Sequence, residues 1–166
     1  TYTNIGYINR QPVELYKIQK RGGKGVSGMK QRDEDFVENM FISSSHENIL
    51  FITNQGNMYR MKCYEIPEGS KQARGMNIVN LLQLNEGERV AAMMTTRDFA
   101  DNKFFVCVTK NGIVKRTNLS EYKNVRKKGL RAVTLAEGDE IASAFLTEGD
   151  CRILTATRNG AAICFD

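Results

Sequence analysis

A four-residue pattern, Thr-x-x-Gly, returns along the chain at nearly constant spacing. It occurs at residues 3–6, 53–56, 109–112 and 157–160, so its glycines are 50, 56 and 48 residues apart. Residues rich in β-formers precede three of the copies, at 49–52, 104–108 and 153–156, and short runs of them follow every glycine. A strand, a turn with glycine and a second strand form a β-hairpin, in which glycine supplies the positive φ. The pattern therefore predicts four hairpins in a repeating β structure.

A second pattern, a basic residue followed by glycine and an apolar residue, keeps the same spacing. Its copies are Lys24-Gly25-Val26, Arg74-Gly75-Met76 and Lys128-Gly129-Leu130. An apolar stretch, an acidic turn (85–88 and 137–140) and another apolar strand follow the second and third copies. Each unit of about 50 residues thus contains about four short strands, which must stack on neighbouring units to bury their faces.

These units predict one all-β domain over residues 1–166, a propeller-like repeat of four-stranded blades with about three blades present. The approximate repeats are 7–56, 57–112 and 113–160. Kelch propellers have repeats of about this length, but they carry a Gly-Gly pair in each blade and a recurring tryptophan. Here that pair occurs once, at 22–23, and the chain has no tryptophan.

The net charge of +5 is modest, but the basic residues are concentrated. No acidic residue interrupts 19–32 or 122–131, and basic residues flank the second basic triplet at Lys71 and Arg74. The position four after the hairpin glycine is also basic three times, at 10, 60 and 116. Because blades are related by rotation, such positions form a basic stripe around the rim, suited to the phosphates of a bent duplex. The alternative for 19–32 is a solvated basic loop without a ligand.

Several classes of function are disfavoured. Aromatic residues are not interleaved with the basic ones, which disfavours recognition of RNA or single strands. We expect the acidic turns to lie away from the duplex, on the opposite edge of each blade. No catalytic triad, phosphate-binding loop or dinucleotide fingerprint is visible. Four cysteines without a C-x-x-C pair and one histidine predict no zinc site and reduced thiols.

The sequence contains no apolar run of the roughly 18–20 residues that a membrane helix requires, and it lacks a secretory signal at its start. We therefore expect a cytoplasmic protein. The first residue, Thr1, is not an initiator methionine, which suggests a piece cut from a longer chain.

The segment Gln19-Lys20-Arg21-Gly22-Gly23-Lys24-Gly25 resembles the seven-residue box that marks the C-terminal domain of DNA gyrase A, a bacterial type IIA topoisomerase. The segments 51–56, 64–68 and 75–82 resemble those that follow the box in that family. The resemblance covers essentially the whole chain. It implies a β-pinwheel, in which propeller-like blades exchange a strand with a neighbour and an outer basic rim wraps duplex DNA. The box would close the first blade onto the last.

By this resemblance, the chain binds and wraps duplex DNA without sequence specificity and so lets gyrase introduce negative supercoils with ATP. The predicted DNA-binding residues are Gln19, Lys20, Arg21, Gly22, Gly23, Lys24, Gly25, Lys30, Arg32, Arg60, Lys71, Arg74, Arg116, Arg126, Lys127, Lys128 and Arg131. The strand-cleaving tyrosine, ATP and magnesium belong elsewhere in the enzyme, so we expect no catalytic residue and no cofactor here. The implied partners are duplex DNA, gyrase B and a second copy of gyrase A, with no membrane and no small-molecule substrate.

Two other functions remain open. A topoisomerase IV-type C-terminal domain would bind and orient DNA without a strong wrap, and a protein-binding propeller would carry incidental surface charge. The family domain usually has about six blades, so this chain is expected to supply about half of the ring.

Overall fold

The protein is described here by a computed structural model, which covers residues 1–16, 21, 34–70 and 73–165. These residues form thirteen β-strands and four short 3-10 helices. The strands are β1 Tyr2–Thr3, β2 Tyr7–Ile8, β3 Val37–Asn39, β4 Asn48–Thr53, β5 Asn57–Lys62, β6 Met76–Asn77, β7 Val90–Thr96, β8 Phe104–Thr109, β9 Val114–Asn118, β10 Leu130–Arg131, β11 Ile141–Thr147, β12 Ile153–Ala156 and β13 Ala162–Phe165. The 3-10 helices are Val13–Leu15, Cys63–Glu65, Ile78–Asn80 and Leu119–Tyr122. No helix in the described part of the chain is long and apolar enough to cross a membrane.

The strands form four antiparallel sheets. Sheet 1 has the order β3-β1-β2-β6, sheet 2 the order β10-β5-β4-β7, sheet 3 the order β11-β8-β9, and β12 and β13 pair as a fourth hairpin. One edge strand of each four-stranded sheet comes from the next unit along the chain. β6 pairs with β2 in sheet 1 but comes from the unit that forms sheet 2, and β10 pairs with β5 in sheet 2 but comes from the unit that forms sheet 3. Consecutive sheets are therefore linked by strand exchange, as the resemblance implied.

The sheets stack face to face, and β4 shows how the sequence supports this. All six residues of β4 are buried. Alternate side chains of a strand point to opposite faces. Ile49 and Phe51 pack in a cluster with Tyr2 and Ile8 of sheet 1, whereas Leu50 and Ile52 pack in a second cluster with Phe105 of sheet 3. A strand buried on both faces reads as a continuous apolar run, which is what residues 49–52 show.

The all-β, propeller-like fold of four-stranded blades is confirmed, with two four-stranded sheets and a third of three described strands. The repeat ranges 7–56, 57–112 and 113–160 stay a prediction, since a sheet completed by the next unit has no single boundary along the chain. All four cysteines are free, and Cys107 is fully buried in the core as a small apolar residue.

Candidate nucleic-acid interface

The four Thr-x-x-Gly turns share one geometry. In each, the glycine N–H donates to the threonine carbonyl oxygen at 3.0 Å, and the glycine φ lies between 82° and 89°. The threonine hydroxyl oxygen also accepts the N–H of the residue four positions later, at 3.1–3.2 Å. Each turn is thus closed by the same two bonds to its threonine, and the next strand begins four or five residues after that threonine.

The second and third basic triplets lie where the chain crosses from one sheet to the previous one. Gly75 immediately precedes β6, and Gly129 immediately precedes β10. Both have positive φ, 84° and 80°. A Cβ on Gly75 would collide with the carbonyl oxygen of Ile8 and the side chain of Asn9, and a Cβ on Gly129 would lie 2.6 Å from the ring of Tyr59. Asn9 and Tyr59 both follow their hairpin glycine by three residues, so the two triplets dock at equivalent places on consecutive sheets.

The basic segment 123–131, here called the third basic loop, is attached to sheet 2 along its length. At its start, Arg60 Nη1 of β5 donates to the Lys123 carbonyl oxygen at 3.0 Å. In its middle, Lys127 forms an ion pair with Glu65, which follows β5. At its end, β10 pairs with β5 in the register Leu130 with Met58. The backbone of this loop is therefore fixed by residues of the preceding unit.

Five cationic side chains of the third basic loop are exposed. These are Lys123, Arg126, Lys127, Lys128 and Arg131. Within the described part of the chain, Lys127 alone among them forms an ion pair with a carboxylate. In the second basic triplet Arg74 is also exposed, with its guanidinium carbon 5.4 Å from the centre of the Tyr7 ring. A fixed backbone that presents exposed cations can neutralise phosphates at defined spacing.

The recurring arginines four residues after the first three hairpin glycines have structural contacts. Arg10 Nε donates to the Ile66 carbonyl oxygen at 3.0 Å, and its Nη1 pairs with Glu68 at 3.1 Å. Arg60 reaches the third basic loop as described and lies over the Phe99 ring at 5.4 Å. Arg116 is exposed and lies over the Phe104 ring at 4.9 Å. Arg10 and Arg60 thus connect one unit to the next, a role that the sequence pattern did not reveal.

Most of the seven-residue box lies outside the described residues. Of the predicted site, Gln19, Lys20, Gly22, Gly23, Lys24, Gly25, Lys30, Arg32 and Lys71 are not described. Arg21 is described and exposed. The structure brings Arg60 and the third basic loop together on sheet 2, whereas Arg74 lies against sheet 1 and Arg116 lies on sheet 3. The DNA-binding role of all the predicted residues stays a prediction.

An acidic residue recurs inside the fold at the repeat period. Asp35, Glu88 and Asp139 are each buried, and they are 53 and 51 residues apart. Glu88 and Gly129 both contact Tyr59, so for Glu88 the expectation of an acidic turn on the opposite edge from the basic residues is wrong. The physical reason is that this carboxylate points into the protein, where five donors surround it, and it presents little charge to solvent. The recurring spacing was a signal available in the sequence.

Hydrogen bonding controls the ionisation of Glu88. Burial alone would raise the pKa of its carboxyl, but bonds from Thr53, Asn85, Asn57 and Tyr59 together outweigh burial and lower the pKa below its ordinary value. Burial, and next the bond to Glu88, raises the pKa of Tyr59. Glu88 is therefore a buried anion and Tyr59 a neutral donor. No three His, Cys, Asp or Glu side chains form a metal-ligand arrangement in the described part of the chain.

Three segments of the chain, 3–44, 47–97 and 103–148, match a family model described as the DNA gyrase C-terminal domain, β-propeller. A DNA gyrase A protein from Clostridium acetobutylicum is 47% identical over 166 residues, which are 100% of this chain and 20% of that protein. Another from Campylobacter jejuni is 46% identical over 150 residues, 90% of this chain and 17% of that protein. The chain thus spans about a fifth of the length of these relatives.

Solved structures agree. A crystal structure of the C-terminal domain of DNA topoisomerase IV superposes with a TM-score of 0.81 at 29% identity, over 99% of this chain and 50% of the other. The structure of a DNA gyrase A C-terminal domain gives a TM-score of 0.75 at 24% identity, over 98% of this chain and 52% of the other, a likeness of fold. With three matched segments and relatives aligned over its full length, the chain belongs to the DNA gyrase C-terminal domain family of β-propellers.

Proposed function

We propose that this chain binds duplex DNA through its phosphates and bends it along the edge that carries the basic triplets. One observation carries the proposal: two basic triplets dock at equivalent places on consecutive sheets, one containing the exposed Arg74 and the other lying in the third basic loop with its five exposed cations. These two consecutive sheets then offer positive charge at equivalent places along one edge. Such an arrangement favours a bent duplex and reads no bases, because no recognition helix accompanies it in the described part of the chain.

In a longer protein of the kind its relatives represent, this wrapping would supply the DNA crossing that gyrase needs to introduce negative supercoils with ATP. The name of the relatives, DNA gyrase A, supports this. The partners would then be gyrase B and a second copy of gyrase A, in a cytoplasmic enzyme. ATP, magnesium and the strand-cleaving tyrosine would act in other parts of that enzyme, so this piece would need no cofactor.

The salt dependence of binding tests the proposal. The affinity of the chain for a duplex should be measured over a series of salt concentrations, because log affinity falls against log salt with a slope of about 0.9 per phosphate neutralised. Replacing three exposed cations of the third basic loop by alanine should reduce that slope by about 2 to 3. The three substitutions are Lys123→Ala, Arg126→Ala and Lys128→Ala.

A charge-matched control removes three cations that are already paired with carboxylates. It consists of Arg97→Ala, Lys103→Ala and Lys110→Ala, whose partners are Glu47, Asp98 and Glu140. Because these ion pairs are at the surface, their loss costs little stability. We expect a change of slope below about 1 for this control. If the two triple variants change the slope equally, or if the affinity does not depend on salt concentration, a protein-binding propeller is favoured instead.

The second candidate, a topoisomerase IV-type domain, is favoured by one observation, the TM-score of 0.81 with such a domain. Substitutions in the seven-residue box distinguish the gyrase function from the topoisomerase IV function. In the intact enzyme, replacing Lys20, Arg21 and Lys24 by alanine should abolish negative supercoiling and leave relaxation intact. Supercoiling that persists in this variant would contradict the gyrase role of the box.

A further inference from the structure

We propose that Glu88 is a positioning residue for the third basic loop: through Tyr59 it holds Gly129, and with it the neighbouring cations, at a fixed place on sheet 2. The effect on DNA binding rests on the function proposed above. The effect on the loop itself does not, and the two can be measured separately.

Glu88 lies at the centre of a buried hydrogen-bond network. Its Oε1 accepts from the Thr53 hydroxyl and, at 2.7 Å, from Asn57 Nδ2. Its Oε2 accepts from the Tyr59 hydroxyl at 2.8 Å and from the backbone and side-chain nitrogens of Asn85 at 2.8 and 2.9 Å. The carboxylate thus joins the end of β4, the start of β5 and the turn before β7. A charged acceptor with this many donors fixes their positions more firmly than neutral bonds would.

Tyr59 transmits this constraint to the loop. Its side chain is buried, its hydroxyl is bound to Glu88, and its ring lies where a Cβ on Gly129 would be, 2.6 Å from one ring carbon and 2.8 Å from the carbon that carries the hydroxyl. The Gly129 N–H in turn donates to the Arg126 carbonyl oxygen at 3.1 Å. We therefore expect a displacement of the ring to move Gly129 and, with it, Arg126, Lys127 and Lys128 in the turn that this bond closes.

The next unit provides a matched control. Asp139 is buried at the equivalent place, where its Oδ1 accepts the backbone N–H groups of Asn111 and Glu140 at 3.1 and 2.9 Å. The residue equivalent to Tyr59, three after the hairpin glycine, is Lys115, and it is exposed. Asp139 therefore closes the same kind of turn without a tyrosine that links it to a basic loop.

Limited trypsin digestion of the chain measures the position of the loop without DNA. Trypsin cleaves after lysine and arginine, so the bonds after 126, 127 and 128 are natural probes. Glu88→Gln, and Tyr59→Phe as a variant that keeps the core ring, should each increase cleavage at these bonds by about fivefold, because the loop opens more often. Asp139→Asn should leave cleavage there at the wild-type rate. Unchanged cleavage in Glu88→Gln and Tyr59→Phe, or an equal increase in Asp139→Asn, would overturn the proposal.

Duplex binding over a salt series measures the consequence for DNA. Global destabilisation lowers affinity by the same factor at every salt concentration, whereas lost phosphate contacts reduce the slope. Glu88→Gln and Tyr59→Phe should reduce the slope by about 1 to 2, and Asp139→Asn should not. Faster cleavage with an unchanged slope would refute the role in DNA binding. If the wild-type chain fails to bind duplex DNA, the proposed function fails, and the cleavage rates still decide whether Glu88 positions the loop.

Discussion

Gly129 is subject to two separable constraints, a positive φ of 80° and contact with the Tyr59 ring. Gly138 has a similar φ of 75°, but a Cβ built on it meets nothing within 4 Å. We therefore expect Gly138→Ala to lower the free energy of unfolding by about 1 kcal/mol, the cost of the left-handed conformation alone. Gly129→Ala should cost a further ~1–3 kcal/mol, about what overpacking of a core costs.

Urea denaturation of the two variants beside the wild type measures the cost of the left-handed conformation and the added cost of the contact with the Tyr59 ring. Equal losses in the two variants would mean that Tyr59 moves aside freely, and the ring would then not determine the position of Gly129.

The ionisation of Glu88 predicts a pH dependence. Because the folded state lowers the pKa of this carboxyl from its ordinary value of 4.5, its charge stabilises the fold at pH values above 4.5. That contribution is lost as the pH falls through the lower folded-state pKa. The difference in unfolding free energy between the wild type and Glu88→Gln should therefore be constant near neutral pH and shrink as the pH falls below 4.5.

Denaturant titrations of both proteins across this range provide the measurement. Comparing the wild type with this variant cancels the contribution of other carboxyls, among them Asp139 and Glu140, whose pKa values are also lowered. A difference that grows on acidification would contradict the assigned charge state.

At the scale of elements, the hairpins differ in how they are covered. The β4–β5 hairpin is buried and is bordered by β7 and β10. The β12–β13 hairpin has mostly exposed residues, and its described pairing is limited to its own two strands. A two-stranded hairpin without a covered face is marginally stable. We expect its strand amides to exchange with solvent at least about tenfold faster than those of β4.

Hydrogen exchange followed by mass spectrometry tests this in a single sample, with the second hairpin as the internal control. Equal protection of 48–62 and 153–165 would show that a neighbour, such as a second copy of the chain, covers the fourth hairpin.

The turns of this fold were predictable from the sequence because each is closed by its own residues. The hydrogen bonds of each turn join its threonine to the glycine three positions later and to the residue after that glycine, so the four hairpins are visible without any knowledge of the tertiary structure. Strand exchange is different. β6 and β10 have only two residues each and carry no strand pattern, and the family resemblance implied the exchange without locating it.

At the scale of the whole molecule, the proposed interface contacts phosphates at regular spacing. The chain should therefore bind unrelated duplexes of equal length and flexibility with equal affinity. Competition between two such duplexes of different sequence, at fixed salt, measures this directly. A preference above about tenfold would indicate base contacts, which are worth about 1–3 kcal/mol each.

The sequence predicts which residues give the candidate site its positive charge, but it does not predict the contacts that hold those residues in place. A run of cations without acids, such as 122–131, is visible as it stands. The contacts of Arg60 with Lys123 and of Glu88 with Tyr59 join residues 63 and 29 positions apart. They depend on the stacking of sheets, which no local pattern encodes. Only the period shared by Asp35, Glu88 and Asp139 hinted at a buried role for acids.

Strand exchange also bears on how such a protein can lengthen or shorten by whole repeats. The repeat along the chain and the sheet in the fold do not have the same boundaries, because sheets 1 and 2 are each completed by a strand from the next repeat. A newly inserted segment would bring the strand that finishes the sheet before it and would be finished by the segment after it. Growth by duplication therefore preserves every internal junction, and only the two ends need residues of their own.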